Sequence, residues 1–144
     1  MARYVLKYRA IAVNPNAAFP ARLATLRPYV AINLFSGTRS FRSYALIDSG
    51  ADDCIFPASF AAQLGLNYLT GRLYPFGGAG GGNQDAYFFD LEMDIIGISR
   101  YPVPIGFSPS IERFGHGVLG QNGFFDHFSL GFHLARGVFS IYTR

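Results

Sequence analysis

The stretch "YALIDSGADDCIFP", residues 44–57, carries a short apolar run into an acid, then Ser, Gly and two further acids. Such a run is what a strand covered on both faces looks like. Asp-Ser-Gly is also an ordinary way to leave a strand, because Asp and Ser bond to nearby backbone and Gly accepts unusual dihedrals. A turn therefore explains Asp48 without any chemistry. A carboxylate held at the end of a buried strand explains it with chemistry, and the rest of the chain has to decide.

The chain has 144 residues, half of them apolar and only 15% charged, which describes one folded domain with a real core. Its 15 Phe, 9 Tyr, 17 Gly and 8 Pro favour β structure, since aromatics suit pleated surfaces and Gly and Pro mark turns. The net charge is +3, and the Lys and Arg residues are scattered singly, so no nucleic-acid partner is expected. A single cysteine, Cys54, rules out an internal disulfide and fits a reducing compartment. "MARYVLKYRAIAVNP" builds no signal-peptide core, and no run approaches the length needed to span a bilayer. The expectation is a cytoplasmic protein without a membrane partner.

Strand signals recur along the chain. "YVAINLF" (29–35) alternates Val30, Ile32 and Leu34 with Tyr29, Ala31 and Asn33. "FDLEMDI" (89–95) sets Phe89, Leu91, Met93 and Ile95 against Asp90, Glu92 and Asp94, which places the acids on a solvated face. "YPVPIGF" (101–107) has alternate prolines, as an edge strand or extended connection would. "HFSLGFHL" (127–134) and "GVFSIY" (137–142) read as the last strands. "PASFAAQLGL" predicts a short helix, with Pro57 at its start and Gly65 as its stop, and "GQNGFFDHF" a further turn or two. Residues 14–28 read as a surface loop. The fold class is all-β: a small closed barrel with one or two short helices, in one domain, with a long Gly-rich hairpin in the middle.

That hairpin, "YPFGGAGGGNQDAYFF" (74–89), has neither a Gly-Lys-Ser/Thr ending nor a following helix, so it is not a phosphate cradle. Five glycines in six residues, Gly77 to Gly82, describe a hairpin tip, read either as a simple turn or as a functional lid. His116, His127 and His133 follow no metal-ligand spacing, so no metal and no cofactor is expected. No nucleophile elbow is present, and Cys54 sits in apolar company as a core thiol.

Asp48 alone is a weak base, because an ordinary carboxyl has a pKa of about 3.9. Two carboxylates at ~3 Å repel by roughly 5 kcal/mol at an effective dielectric of about 20, so they share one proton. One can then activate water while the other donates to a carbonyl oxygen. The chain has one Asp-Ser/Thr-Gly, so such a pair needs two chains.

"ALIDSGADDCIFP" resembles the active-site segment of retropepsin-like aspartic proteases. "GHGVLGQNGFFDHFSLGF" resembles their second hallmark, with Val118, Leu119 and Gly120 as its apolar-apolar-Gly, and the Gly-rich hairpin lies where that family carries its flap. The resemblance covers residues 29–144 as a protease domain and leaves 1–28 as an N-terminal segment. It implies an acid-protease-type barrel acting on peptides or proteins as a homodimer, with Asp48, Ser49 and Gly50 catalytic. Ser49 would brace the paired loops across the two-fold axis. Substrate contacts would come from Ala51, Asp52 and Asp53 and from the tip residues Gly77, Gly78, Ala79, Gly80 and Gly81. Gln121 stands where retroviral members carry an Arg that pairs with the acid matching Asp52, so the partner of Asp52 is open. Ile55, Phe56, Tyr74, Phe76, Ile105 and Phe107 are candidate pocket walls. Two other readings stay in view: a non-catalytic binding or assembly module of the same fold, and an unrelated barrel holding a small apolar ligand.

Overall fold

The computed structural model describes residues 1–77 and 83–144. Contacts divide the chain into two units: Val30–Asp126, and the terminal segments Met1–Tyr29 with His127–Arg144. The strands, in chain order, begin with β1 (Arg3–Lys7), β2 (Arg9–Ala12) and β3 (Ala24–Arg27). They continue with β4 (Tyr29–Ser36), β5 (Arg39–Ile47), β6 (Ile55–Pro57), β7 (Arg72–Gly77) and β8 (Asn83–Ile95). The last are β9 (Ser99–Ser108), β10 (Gly117–Leu119), β11 (Ser129–His133) and β12 (Val138–Tyr142). One short α-helix, α1 (Ala58–Gln63), follows β6 and gives way to Gly65 in the left-handed conformation, as its sequence predicts. No helix among the described residues is long and apolar enough to cross a membrane.

The central unit is a closed barrel, with strand order β4-β5-β10-β6-β9-β8 and β8 returning to pair with β4. The alternation read in β4 is the observed one: Val30, Ile32 and Leu34 are buried and their neighbours are not. Across the seam Ile32 lies opposite Ile95 and Leu34 opposite Met93, which joins two apolar faces inside the ring. At 13 residues β8 spans about 43 Å, longer than the barrel wall needs. Its second half closes the ring with β4, and its first half runs out as a hairpin with β7, paired as far as Gly77 and Asn83.

This length corrects one reading of β8. Leu91, Met93 and Ile95 are buried as expected, but upstream the buried residues are Ala86 and Phe88, on the opposite parity, and Phe89 is only partly covered. Ala86 and Phe88 pack with Ile55 and Ile111, so the two halves of the strand are covered on opposite faces.

The prolines of β9 have a matching explanation. β9 pairs with β8 along its length, from Ser99 to Phe107, but β6 joins it only from Gly106 onward. Pro102 and Pro104 thus lie where the strand has one neighbour, and it is edge-like there and central beyond.

Two further expectations change. Residues 14–28 are not all loop, since Ala24–Arg27 pairs with β2 as an antiparallel strand. Residues 121–127 form turns rather than helix. In the terminal unit, β1, β12 and β11 make a three-stranded antiparallel sheet in that order.

Candidate active site

Asp48 is the first residue after β5. Its N–H donates to the Leu119 carbonyl (3.0 Å), so the chain is pinned to β10 as it leaves the sheet. β10 lies parallel to β5, with Gly117, Val118 and Leu119 beside Ala45, Leu46 and Ile47. The two motifs recognised in the sequence, separated by about seventy residues, are therefore neighbouring strands whose ends leave the barrel side by side.

The Asp48 side chain is half-buried and held by its own loop. Its Oδ1 accepts from the Gly50 N–H at 2.9 Å, while its carbonyl accepts from the Ala51 N–H at 3.1 Å. Its second carboxylate oxygen has no hydrogen-bond partner among the described residues. Ser49 and Gly50 are exposed. A side chain on Gly50 would bring a Cβ to 3.3 Å from Asp48 Oδ1, so glycine keeps this turn close to the acid.

The loop that follows is laced to the segment after β10. Gln121 N–H donates to the Ala51 carbonyl (2.9 Å) and Asn122 N–H to the Asp52 carbonyl (2.8 Å). The Gln121 amide donates to the Ser49 carbonyl (3.3 Å), and the Asn122 amide to Asp53 Oδ1 (3.2 Å). Gly120 sits where the two segments touch. A Cβ there would lie 2.7 Å from the Ala51 carbonyl oxygen and nearer still to that of Asp53. The apolar-apolar-Gly motif thus supplies a strand beside Asp48 and then a residue with no side chain.

At the position where the sequence resemblance leads one to expect an Arg, Gln121 does a different job. It braces Ser49 through an amide, while Asp52 is exposed and forms no ion pair among the described residues. Three further residues hold the second segment and were not singled out in the sequence. Tyr101 donates its hydroxyl to the Gly123 carbonyl (2.7 Å, buried), Asp126 Oδ1 accepts from the Gly123 N–H (3.0 Å), and Asn122 bonds Asp53. Nothing in the local sequence of Tyr101 signals this, because its partner is 22 residues away.

Cys54 is fully buried under this lacing, and desolvation pushes its thiol up to about 12. It is a core thiol, as its apolar context predicts, and is not ionised to act as a nucleophile.

An open groove of about 430 Å³ runs past Asp53 and Asn122, walled by Arg72, Leu73, Tyr74, Phe88 and Pro104. Of the candidate walls whose side chains are described, only Tyr74 lines it. Phe56, Ile105 and Phe107 are fully buried and Ile55 nearly so, because β6 and β9 are central strands whose side chains fill the core. The Phe76 side chain lies outside the described residues, as do Gly78, Ala79, Gly80, Gly81 and Gly82; Gly77 is the last residue of β7.

No protein-family model and no curated protein matches the chain. Among solved structures it is similar to a retropepsin-like aspartic protease from Rickettsia conorii, at 15% identity and a TM-score of 0.57. The match covers 97% of this chain and 98% of that one. At this identity the likeness establishes the fold, which is retropepsin-like.

Proposed function

We propose that the chain is an aspartic endopeptidase that works as a homodimer, with one Asp48 from each copy. The observation that carries this reading is the state of Asp48: one oxygen is fixed by the Gly50 N–H and the other has no partner among the described residues, on a loop laced to a second strand end. A carboxylate so fixed is oriented before substrate arrives, which is what acid–base catalysis requires of it.

One such group cannot act as both acid and base, so the reaction takes two. Brought to ~3 Å across a two-fold axis, the pair repels by roughly 5 kcal/mol at an effective dielectric of about 20 and holds a single proton between them. The ionised member removes a proton from water, whose oxygen attacks the peptide carbonyl carbon. The protonated member gives its proton to the carbonyl oxygen. The tetrahedral diol then collapses as a carboxyl proton passes to the leaving nitrogen, giving an acid and an amine.

Ser49 and Gly50 hold the carboxylate in this scheme, and Ala51, Asp52 and Asp53 meet the substrate backbone. The groove beside Asp53, with Tyr74, Leu73 and Phe88 on its walls, suits an apolar substrate side chain. The role of Gly77–Gly82 as a cover over the peptide rests on the resemblance alone.

The test is digestion of a diverse peptide mixture from mildly acidic to neutral pH, with sedimentation run on the same protein. The expected result is a dimer that cleaves internal bonds, with cleavage reduced about 10²–10⁴-fold or more in Asp48→Asn. Undiminished cleavage by a folded Asp48→Asn variant would overturn the reading. A folded, monomeric and inert chain would favour a non-catalytic binding module instead.

A further inference from the structure

Two charged side chains line the groove that runs past Asn122, Asp53 and Arg72, and they do not pair with each other. Arg72 is turned to Asp90 and holds it with two prongs, Nη2 to Oδ1 at 2.9 Å and Nη1 to Oδ2 at 3.2 Å. Its charge is answered there. Asp53 is half-buried, and its Oδ1 accepts from the neutral Asn122 amide at 3.2 Å. Its other carboxylate oxygen has no hydrogen-bond partner, and Asp53 forms no ion pair, among the described residues. The groove therefore carries one unanswered negative charge.

That charge is held in place. Asp53 and Asn122 also meet as a backbone bridge, and the Asn122 N–H donates to the Asp52 carbonyl, so the acid stands on the laced part of the loop. The aromatic part of the wall is built as firmly. Phe88 lies opposite Gly106 in the β8–β9 register, and a Cβ on Gly106 would come within 2.8 Å of the Phe88 ring. The missing side chain is what lets that ring settle against the sheet. Tyr74 meets the Phe88 ring edge to face, with 5.9 Å between centroids and 77° between planes. At about 430 Å³ the groove falls within the ~300–1,000 Å³ range of sites that take a whole small group.

Resting on the peptidase reading above, we propose that this groove selects a substrate with a long basic side chain, Lys or Arg, at one fixed position beside the cleaved bond, and that Asp53 makes the selection. The methylene stem lies along Leu73, Tyr74, Phe88 and Pro104, and the charged end reaches the free Asp53 oxygen. The exposed Tyr74 ring is open to the same cation. An aliphatic guest of equal length would fill the walls but strip water from an ionised acid and return no hydrogen bond. An acidic guest would bring a second carboxylate to Asp53, and Arg72 could answer it only by giving up Asp90.

The experiment first digests a peptide library with the full chain and locates the position by mass spectrometry, then measures kcat/KM on peptides that differ there alone. Lys is compared with norleucine, which has the same stem without the ammonium, and with Glu. Lys should be roughly tenfold better than norleucine and Glu the poorest, with the Lys advantage shrinking as salt is raised. Asp53→Asn can still accept from Asn122 through its amide oxygen but offers no charge, so it should remove the Lys advantage. Its rate on the norleucine peptide shows that it is folded and active. A library in which no fixed position favours Lys or Arg, a parent chain that cleaves Lys and norleucine peptides alike or prefers Glu, or an Asp53→Asn variant that keeps the Lys advantage would each overturn the inference and leave the peptidase reading standing. If nothing is cleaved, that reading fails instead, and fluorescence anisotropy decides the groove. Labelled Ala-Ala-Lys-Phe-Ala-Ala should then bind the full chain more tightly than its norleucine and Glu counterparts and lose that lead in Asp53→Asn. Equal binding of the three, or none, overturns the inference as well.

Discussion

Gly120→Ala tests whether the site depends on the close passage of two backbones. Gly120 is not among the described glycines with positive φ, so alanine meets no conformational penalty there and acts through contact alone. Its Cβ would sit 2.7 Å from the Ala51 carbonyl oxygen and 2.8 Å from the Asp53 nitrogen, where ordinary contact begins at 3.4 Å. Every one of those neighbours is main chain, so no rotamer change relieves the overlap, and the loop carrying Asp48 has to move away. Overpacking of this kind costs about 1–3 kcal/mol. The displacement also stretches the bonds from Gln121 to Ala51 and from Asn122 to Asp52, worth about 1 kcal/mol each. The expected loss is thus about 3–5 kcal/mol, or roughly 2 M in urea midpoint at an m-value of about 2 kcal/mol/M. Gly97→Ala is the control, since φ there is +81° with nothing within 4 Å, and its cost is purely conformational at about 1 kcal/mol. If equilibrium unfolding shows Gly120→Ala no more destabilised than Gly97→Ala, the two segments are not packed as described.

Two smaller perturbations probe the same scaffold. Tyr101→Phe leaves the buried Gly123 carbonyl without the 2.7 Å hydroxyl bond and should cost about 1–3 kcal/mol in urea unfolding. For Cys54 the folded thiol titrates near 12 against 9.0 for the ordinary group, so the unfolded chain ionises first. Stability is unaffected below about pH 9 and falls as pH rises toward 12, by up to about 4 kcal/mol. Unfolding at pH values below and above that onset, compared with Cys54→Ala, isolates the effect, because the alanine variant should lack this part of the alkaline slope.

The features legible in the sequence were those with a local cause. The β4 alternation, the end of β5 at Asp48 and the stop of α1 at Gly65 each depend on a few adjacent residues. What escaped depended on partners far along the chain. "ATLR" (24–27) is only four residues long and its apolar Ala24 and Leu26 are exposed, so it marks no core face, yet pairing with β2 makes it a strand. Residues 121–127 have helix-forming company, but the N–H groups of Gln121 and Asn122 go to the Asp48 loop. That of Gly123 goes to Asp126, at a φ of +111° that no helix continues. The change of parity in β8 is invisible locally, because it reflects which face of a long strand finds cover. Asp48 was visible as a candidate, whereas Tyr101 and Asn122, which position its surroundings, carry no mark that chemistry or spacing would reveal.

The replacement at Gln121 bears on how such a loop stays ordered. An Arg–carboxylate pair would tie loop and strand through charge, which weakens when the acid is protonated or salt is raised. Here the principal ties are backbone amides to the carbonyls of Ala51 and Asp52 and a side-chain amide to that of Ser49. None of these three contains a group that titrates. Carboxylates enter only as acceptors, at Asp53 from Asn122 and at Asp126 from Gly123, and a protonated carboxyl can still accept through its carbonyl oxygen. The acid pair we propose would share one proton and so would work where carboxyls are partly protonated. Lacing the loop with neutral amides would let it hold its shape through that pH range. On this argument Gln121 braces the loop without charge, and Asp52 is left exposed beside it.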